Sequence, residues 1–174
     1  MADSQTVKET DIAVGILRLL ETEKVVTEGA GAIGVSALLA GCLPELAGKK
    51  VACILSGGNI DSTMIGRCIE KGLAVDNRLV RFEALISDRP GGVAELSRIV
   101  SETGAKIKAM AMGFVAILIS AIKERAFHHT EAFNTQCKVI AETRGIDHAL
   151  ELNSSLKKRY GTDCNFFTIR GPLV

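Results

Sequence analysis

Five apolar residues in a row, Val51 to Leu55, follow Lys49-Lys50 and run into Ser56, Gly57 and Gly58. A run that short, bounded by charge on one side and glycine on the other, reads as a strand buried on both faces. Such a strand needs neighbours beside it as well as above and below. The glycines permit a tight turn and a close backbone approach. Beyond them Asp61 or Ser62 can cap a helix that carries Met64, Ile65, Cys68 and Ile69 inward and closes at Lys71 and Gly72. A strand, a turn of small residues and a helix start suit a ligand, because open α/β sheets bind at that edge. Ser56, the first polar side chain past the strand, would face it; a plain βα turn without ligand is the alternative.

Upstream, Thr6-x-x-Glu9 has the form of a capping box and predicts a helix from about Val7. Ile12, Ile16, Leu19 and Leu20 form its apolar stripe. Gly29, Gly31 and Gly34 then match the dinucleotide-binding spacing G-x-G-x-x-G. That reading fails. Only Lys24 to Thr27 is left for the strand it needs, Lys49-Lys50 stand where an acidic residue belongs, and no full βαβαβ half fits before the pattern changes. The spacing instead predicts a helix from Ala30 to Ala40 ending at Gly41, with a Gly/Ala face that lets another backbone come close. Glu28 at its start suits the helix dipole.

Composition limits the remaining choices. Of 174 residues 47% are hydrophobic and 24% charged, and mean hydropathy is +0.25, so the chain is globular. With 4% aromatics and no tryptophan, its core is aliphatic and alanine-rich. A net charge of +1 from scattered basic residues predicts neither nucleic acid nor a membrane surface as partner. The five cysteines, at 42, 53, 68, 137 and 164, form no C-x-x-C pair and read as free thiols in a reducing compartment. The first eleven residues are not a secretory signal, and the charge-free run Ala109 to Ile122 is shorter than the about 20 residues that span a bilayer. A cytoplasmic location is expected.

From residue 79 the period changes to two. After a polar linker, Ala74 to Arg78, the run Leu79 to Ser87 puts Val80, Phe82, Ala84 and Ile86 on one face, opposite Arg81 and Glu83. Asp88-Arg-Pro-Gly-Gly92 predicts a turn with Pro90 at a helix start. Val93, Leu96, Ile99 and Val100 are that helix's buried face, and Gly104 stops it. Lys106 to Met110 alternates again, as do Phe133, Thr135, Cys137, Val139 and Ala141. Ile146 to Tyr160 predicts a helix with Ala149, Leu152 and Leu156 inward, Lys157, Lys158 and Arg159 in its last turn and His148 solvated; Cys164 to Ile169 is a last strand. The order β-α-β-β-α-β is the ferredoxin-like unit, with both helices on one sheet face. The apolar run near 111–122 interrupts it as a lengthened strand, a helix on the open face or foreign sequence, the last being preferred. His128-His129 point opposite ways on a strand and lack a third ligand, so no metal site is expected. No cysteine has a placed base, so no catalytic residue is assigned.

Two resemblances attach to these motifs. Glu28-Gly-Ala-Gly-Ala-Ile-Gly-Val-Ser-Ala-Leu-Leu-Ala-Gly41, Leu43-Pro-Glu-Leu-Ala-Gly-Lys-Lys-Val51 and Leu55-Ser-Gly-Gly-Asn-Ile-Asp61 resemble the catabolic threonine dehydratases. These are threonine/serine ammonia-lyases of the tryptophan-synthase-β type that use pyridoxal phosphate (PLP), and the match runs from about Val7 to Asn77. It implies that Ser56 hydrogen-bonds the pyridine nitrogen, that Glu28 lies beside the cofactor, and that Gly57 and Gly58 make room for the ring. The family's Ser-Phe-Lys-x-Arg-Gly motif and four-glycine phosphate loop are missing from these 174 residues. Asp88-Arg-Pro-Gly-Gly92 with Ala141-Glu-Thr-Arg144 resembles the ACT domain of the same enzymes, from about Leu79 to Gly161. That likeness implies pairing into a homo-oligomer and an amino-acid effector at Asp88, Gly91 and Gly92.

The expected architecture is therefore α/β: a partial fold-type II PLP-enzyme segment, 1–77, followed by a ferredoxin-like ACT domain, 78–174. The expected function is that of the C-terminal section of an L-threonine/L-serine ammonia-lyase, catalytically incomplete and not holding PLP stably by itself. The alternative is a stand-alone ACT-type amino-acid-binding or pairing module. Without neighbours for its strand, 1–77 is expected to be poorly ordered or oligomeric.

Overall fold

The stripe of Ile12, Ile16 and Leu19 folds as a helix, but one that starts later than its capping pattern suggests. In the computed structural model, which describes residues 6–113 and 134–169, α1 spans Glu9–Arg18. Its cap is Lys8, whose carbonyl accepts from the N–H groups of Asp11 and Ile12; no side chain caps it, so the Thr6-x-x-Glu9 box does not form. Glu9 and Asp11 in the first turn answer the helix dipole instead. A five-residue π turn, Leu19–Glu23, follows and closes at Lys24 in the left-handed region, φ 58°.

The chain divides into two compact units, Met1–Asp76 and Asn77–Val174. In the first, α2 spans Gly29–Leu39 and ends through Ala40 at Gly41, φ +69°, close to the predicted bounds. Its buried side packs on α1, with Ile16, Leu19 and Ala32 at the centre and Ile12, Val35 and Cys68 around them. The two helices come close because Gly15 carries no Cβ; one would collide with the hydroxyl of Ser36. Asp61 caps α3, Ser62–Val75, by accepting from the Thr63 N–H at 2.8 Å. Gly72 does not stop this helix. It is buried where α1 crosses, and a Cβ there would stand 2.9 Å from Leu17 Cδ2 and 3.1 Å from the Ala13 carbonyl. Arg18 and Asp76 tie the far ends of α1 and α3 together at 2.7 Å.

The predicted strand Val51 to Leu55 is not one. Residues 51–61 form neither helix nor strand, and Ile54 is 92% exposed. A strand exists through its ladder partners, and the described residues of this unit contain no strand to pair with. Met64, expected inward, is also exposed.

In the second unit β1, Leu79–Ser87, has the predicted bounds, with Val80, Phe82, Ala84 and Ile86 all buried. Next come α4, Gly92–Glu102, and β2, Lys106–Met112, then β3, Asn134–Glu142, α5, Ile146–Tyr160, and β4, Cys164–Phe167. The strands form one antiparallel sheet in the order β2-β3-β1-β4. Leu96, Ile99, Val100, Ala149, Leu152 and Leu156 of the helices pack on the apolar faces of β1 and β3 to form one core. This is a mixed α/β unit with a four-stranded antiparallel sheet and helices.

Differences from expectation are local. Pro90 lies in the turn before the cap Gly91, not at the helix start, and Val93 is 37% exposed because it is only the second residue of α4. β4 stops at Phe167. His148 is buried, not solvated: its Nδ1 accepts the Arg144 N–H at 3.0 Å and its Nε2 lies 2.8 Å from the Thr103 carbonyl. The apolar run reaches Met112 as part of β2; residues 114–122, with Phe133, His128 and His129, lie outside the described residues.

Candidate functional site

Three glycines decide the geometry around Ser56. The segment that precedes it lies along α2, antiparallel to it. A Cβ on Gly31 would run into the Ser56 carbonyl, and one on Gly34 would stand 3.5 Å from Cys53 Sγ. The small-residue face expected of this helix is therefore used, and the backbone it admits is that of Ser56. The chain then turns at Gly57, φ +68°, whose Cα rests against the Glu28 side chain so closely that any Cβ would collide with it. The Gly57 carbonyl accepts the Glu28 N–H at 2.6 Å. Gly58 passes the Val26 carbonyl. Glu28, Ser56, Gly57 and Gly58, nearly thirty residues apart in sequence, thus meet at the start of α2.

Ser56 is exposed and Glu28 half-buried. Beside Glu28, Thr27 is 3% exposed and its hydroxyl has no hydrogen-bonding partner among the described residues. Sequence reasoning passed over Thr27. Its signal was faint, a single hydroxyl between the short apolar pair Val25-Val26 and the helix cap.

These residues do not by themselves fit the whole of PLP. The Ser56 hydroxyl and the open turn suit a ring nitrogen, which needs one neutral hydrogen-bonding group. An amine to bond the aldehyde and a cradle for the phosphate are also required. Among the described residues no contact brings a lysine to Ser56 or Glu28, the Lys24 amine being held by the Glu21 carbonyl at 2.5 Å. The chain never has more than two glycines in succession. No chemical step is assigned to this turn.

In the second unit Asp88, Gly91 and Gly92 meet in the turn between β1 and α4. Gly91 caps the helix at φ +105°, and Gly92 is pressed against the Ser87 carbonyl so that no Cβ fits. Its N–H donates to the Arg89 carbonyl at 3.2 Å, and the Glu95 N–H to that of Gly91 at 2.8 Å. Asp88 is exposed. A separate, open cavity of about 490 Å³ lies at the start of α5, lined by Arg144 to His148 and Glu151. It does not include the three turn residues.

Charge in this unit is arranged for structure. Arg159 makes a two-pronged bond to Glu95, 2.6 and 3.0 Å, which holds the Glu95 carboxyl below its usual range and the guanidinium above its own. Burial pushes the Cys164 thiol up to about 11. On the sheet face away from the helices Arg81 and Gln136 both bond Glu83, and Arg81 lies over the Phe167 ring. Among the described residues no three His, Cys, Asp or Glu side chains gather as metal ligands, and no helix is long and apolar enough to cross a membrane.

Fold and site thus define a two-unit α/β chain whose first unit gathers the Glu28 and Ser56-Gly-Gly motifs at one helix start. No family model matches the chain. It is 52% identical over 101 residues to an L-threonine ammonia-lyase of Thermotoga maritima, covering 58% of this chain and 25% of the relative. It is 34% identical over 155 residues to an L-threonine ammonia-lyase of Geobacter sulfurreducens, covering 84% of this chain and 37% of the relative. A catabolic L-threonine dehydratase, TdcB, of Escherichia coli is 41% identical over 66 residues, 37% of this chain and 20% of that protein. The chain spans between a fifth and just over a third of the length of these relatives. It is related to a segment of the threonine dehydratases.

Proposed function

We propose that this chain is the C-terminal section of a PLP-dependent threonine/serine ammonia-lyase. The first unit supplies one wall of the cofactor pocket and the second an ACT-type regulatory domain. The observation that carries this reading is the 2.6 Å bond from the Glu28 N–H to the Gly57 carbonyl. It brings together the two motifs that resemble the lyase, which have no reason to meet in an unrelated protein. Ser56 then serves as a neutral hydrogen-bonding partner for the pyridine nitrogen, and Glu28 lines the pocket beside it. PLP, when bound, supplies the electron sink for eliminating water from the hydroxy amino acid. By itself the chain lacks the lysine and the phosphate loop and performs no turnover. In the second unit the order β-α-β-β-α-β among the described residues and the turn at Asp88, Gly91 and Gly92 support a ferredoxin-like ACT domain. It takes an amino-acid effector through helix-start N–H groups and pairs with a second copy.

The test is a chimera in which this chain replaces the matched segment of the Geobacter sulfurreducens L-threonine ammonia-lyase. The expected result is ammonia release from threonine with added PLP, reduced about tenfold or more by Ser56→Ala, on the scale of one charge-region hydrogen bond. A folded, soluble chimera that releases no ammonia from threonine or serine would sink the proposal.

The second reading, an ACT-type module acting alone, is favoured by one observation. The core formed by Val80, Phe82, Val139, Leu96, Leu152 and Leu156 lies wholly within the second unit.

A further inference from the structure

Asn77 is held by its neighbours on both sides. It stands in the left-handed region at φ 56°, a conformation that a non-glycine residue keeps only where its surroundings fix it. It follows Asp76, the cap of α3, and so turns the chain out of that helix. Inside the first unit Arg18 holds Asp76 at 2.7 Å. Inside the second unit Thr143, itself buried, holds the next two residues. Its N–H donates to the Arg78 carbonyl at 3.0 Å, and its hydroxyl donates to that of Asn77. The first of these bonds adds a rung to the β1–β3 ladder beyond Leu79 and Glu142. The polar linker expected from Ala74 to Arg78 is thus taken up by the end of α3 and the start of the sheet.

Thr143 also adjoins the corner that His148 fixes. The next N–H, that of Arg144, donates to His148 Nδ1, and the other ring nitrogen meets the Thr103 carbonyl at the end of α4. The opposite end of α4 is the turn at Gly91 and Gly92. One helix and a run of hydrogen bonds therefore lead from that turn to Asn77.

We propose that Thr143 is a coupling point through which the second unit sets the order of the last turn of α3. A shift of α4 or of the His148 corner moves Thr143 and withdraws its hydroxyl from the Asn77 carbonyl. The left-handed residue then relaxes, and α3 frays back from Val75. This gives the regulatory domain proposed above a route for acting on the lyase-like unit; its purpose, though not its geometry, rests on that reading.

The experiment is hydrogen exchange of the full chain in wild type, Thr143→Val and Arg18→Ala. Valine removes the hydroxyl and keeps the backbone N–H. Thr143→Val is expected to raise exchange at the Val75 and Asp76 N–H groups of the first unit about threefold or more, the scale of one hydrogen bond. Coupling is reciprocal, so Arg18→Ala should raise exchange at the Thr143 N–H of the second unit by a similar factor. The controls are Ile16 in α1 for Thr143→Val and Val139 in β3 for Arg18→Ala. The proposal is overturned if each variant alters exchange only in its own unit, or if the control rises as much as the coupled site. Uncoupled exchange beside an active chimera would remove the coupling point and leave the lyase reading standing. Coupled exchange beside an inactive chimera would do the reverse.

Discussion

His148 Nε2 stands 2.8 Å from the carbonyl oxygen of Thr103, so the ring joins the end of α4 to the start of α5. The other ring nitrogen accepts the Arg144 N–H, which leaves Nε2 as the donor to the carbonyl. Replacing His148 with alanine strands the buried Thr103 carbonyl and leaves the part-buried Arg144 N–H without its acceptor. The expected loss is about 2–4 kcal/mol, read from urea unfolding followed at Tyr160, the sole tyrosine. His148→Gln should lose less, because an amide can keep one of the two bonds.

Gly31 and Gly57 are expected to be intolerant of any side chain. Gly31→Ala drives a methyl into the Ser56 carbonyl, and Gly57→Ala combines a collision with Glu28 and a backbone at φ +68° that alanine resists. Each should destabilise the first unit by about 1–3 kcal/mol and raise hydrogen exchange around Ser56. Gly41→Ala, also at positive φ but with nothing within 4 Å, is the control. It should cost less than either, and a loss equal to that of Gly57→Ala would mean that backbone strain alone is measured at Gly57.

Cys164 makes stability depend on alkaline pH. The folded chain keeps the thiol protonated up to about 11, whereas the unfolded chain begins to release the proton near the usual 9.0. The stabilisation from this group is complete below pH 9.0 and is lost as pH rises through about 11. Cys164→Ala should flatten that part of the decline. Part of the slope should persist, because burial also raises Cys137 and Tyr160. A wild-type profile that already matches the variant would show that this thiol is not protected.

The purified chain, mixed with PLP and reduced with borohydride, is expected to give scattered lysine adducts at low yield and no ammonia from threonine. One dominant modified lysine together with ammonia release would contradict the incompleteness proposed for this chain.

Isothermal titration with isoleucine, valine, threonine and serine tests the turn at Asp88, Gly91 and Gly92. If it is an effector site, at least one should bind, and Gly92→Ala should abolish the heat, since its methyl would meet the Ser87 carbonyl. Silence from all four would remove the effector reading of this turn.

What could be read from residues alone followed the reach of each interaction. Alternation from Leu79 to Ser87 placed β1 to the residue, because one face of a sheet must be apolar and the period is two. Ile146 to Tyr160 was equally legible, having a glycine at each end. Val51 to Leu55 misled, since an apolar run states that a segment wants cover without saying that cover is at hand. His148 misled in the opposite way. Asp147 beside it and Glu151 one turn on are polar, and the carbonyl that buries it comes from Thr103, far off in sequence. At the candidate site the glycine motifs foretold a close backbone approach at α2, but only the folded chain shows that Ser56 makes it.

The place of β1 has a consequence for synthesis on the ribosome. It is the first strand of its unit to emerge, yet it is bordered by β3 on one edge and on the other by β4, the last of the four described strands to be made. Arg81 waits for Phe167 and Ala84 for Cys164, so the central strand has one bare edge until translation has passed the end of the sheet. Nascent chains halted before Cys164 should bind holdase chaperones, and those carried beyond Phe167 should not.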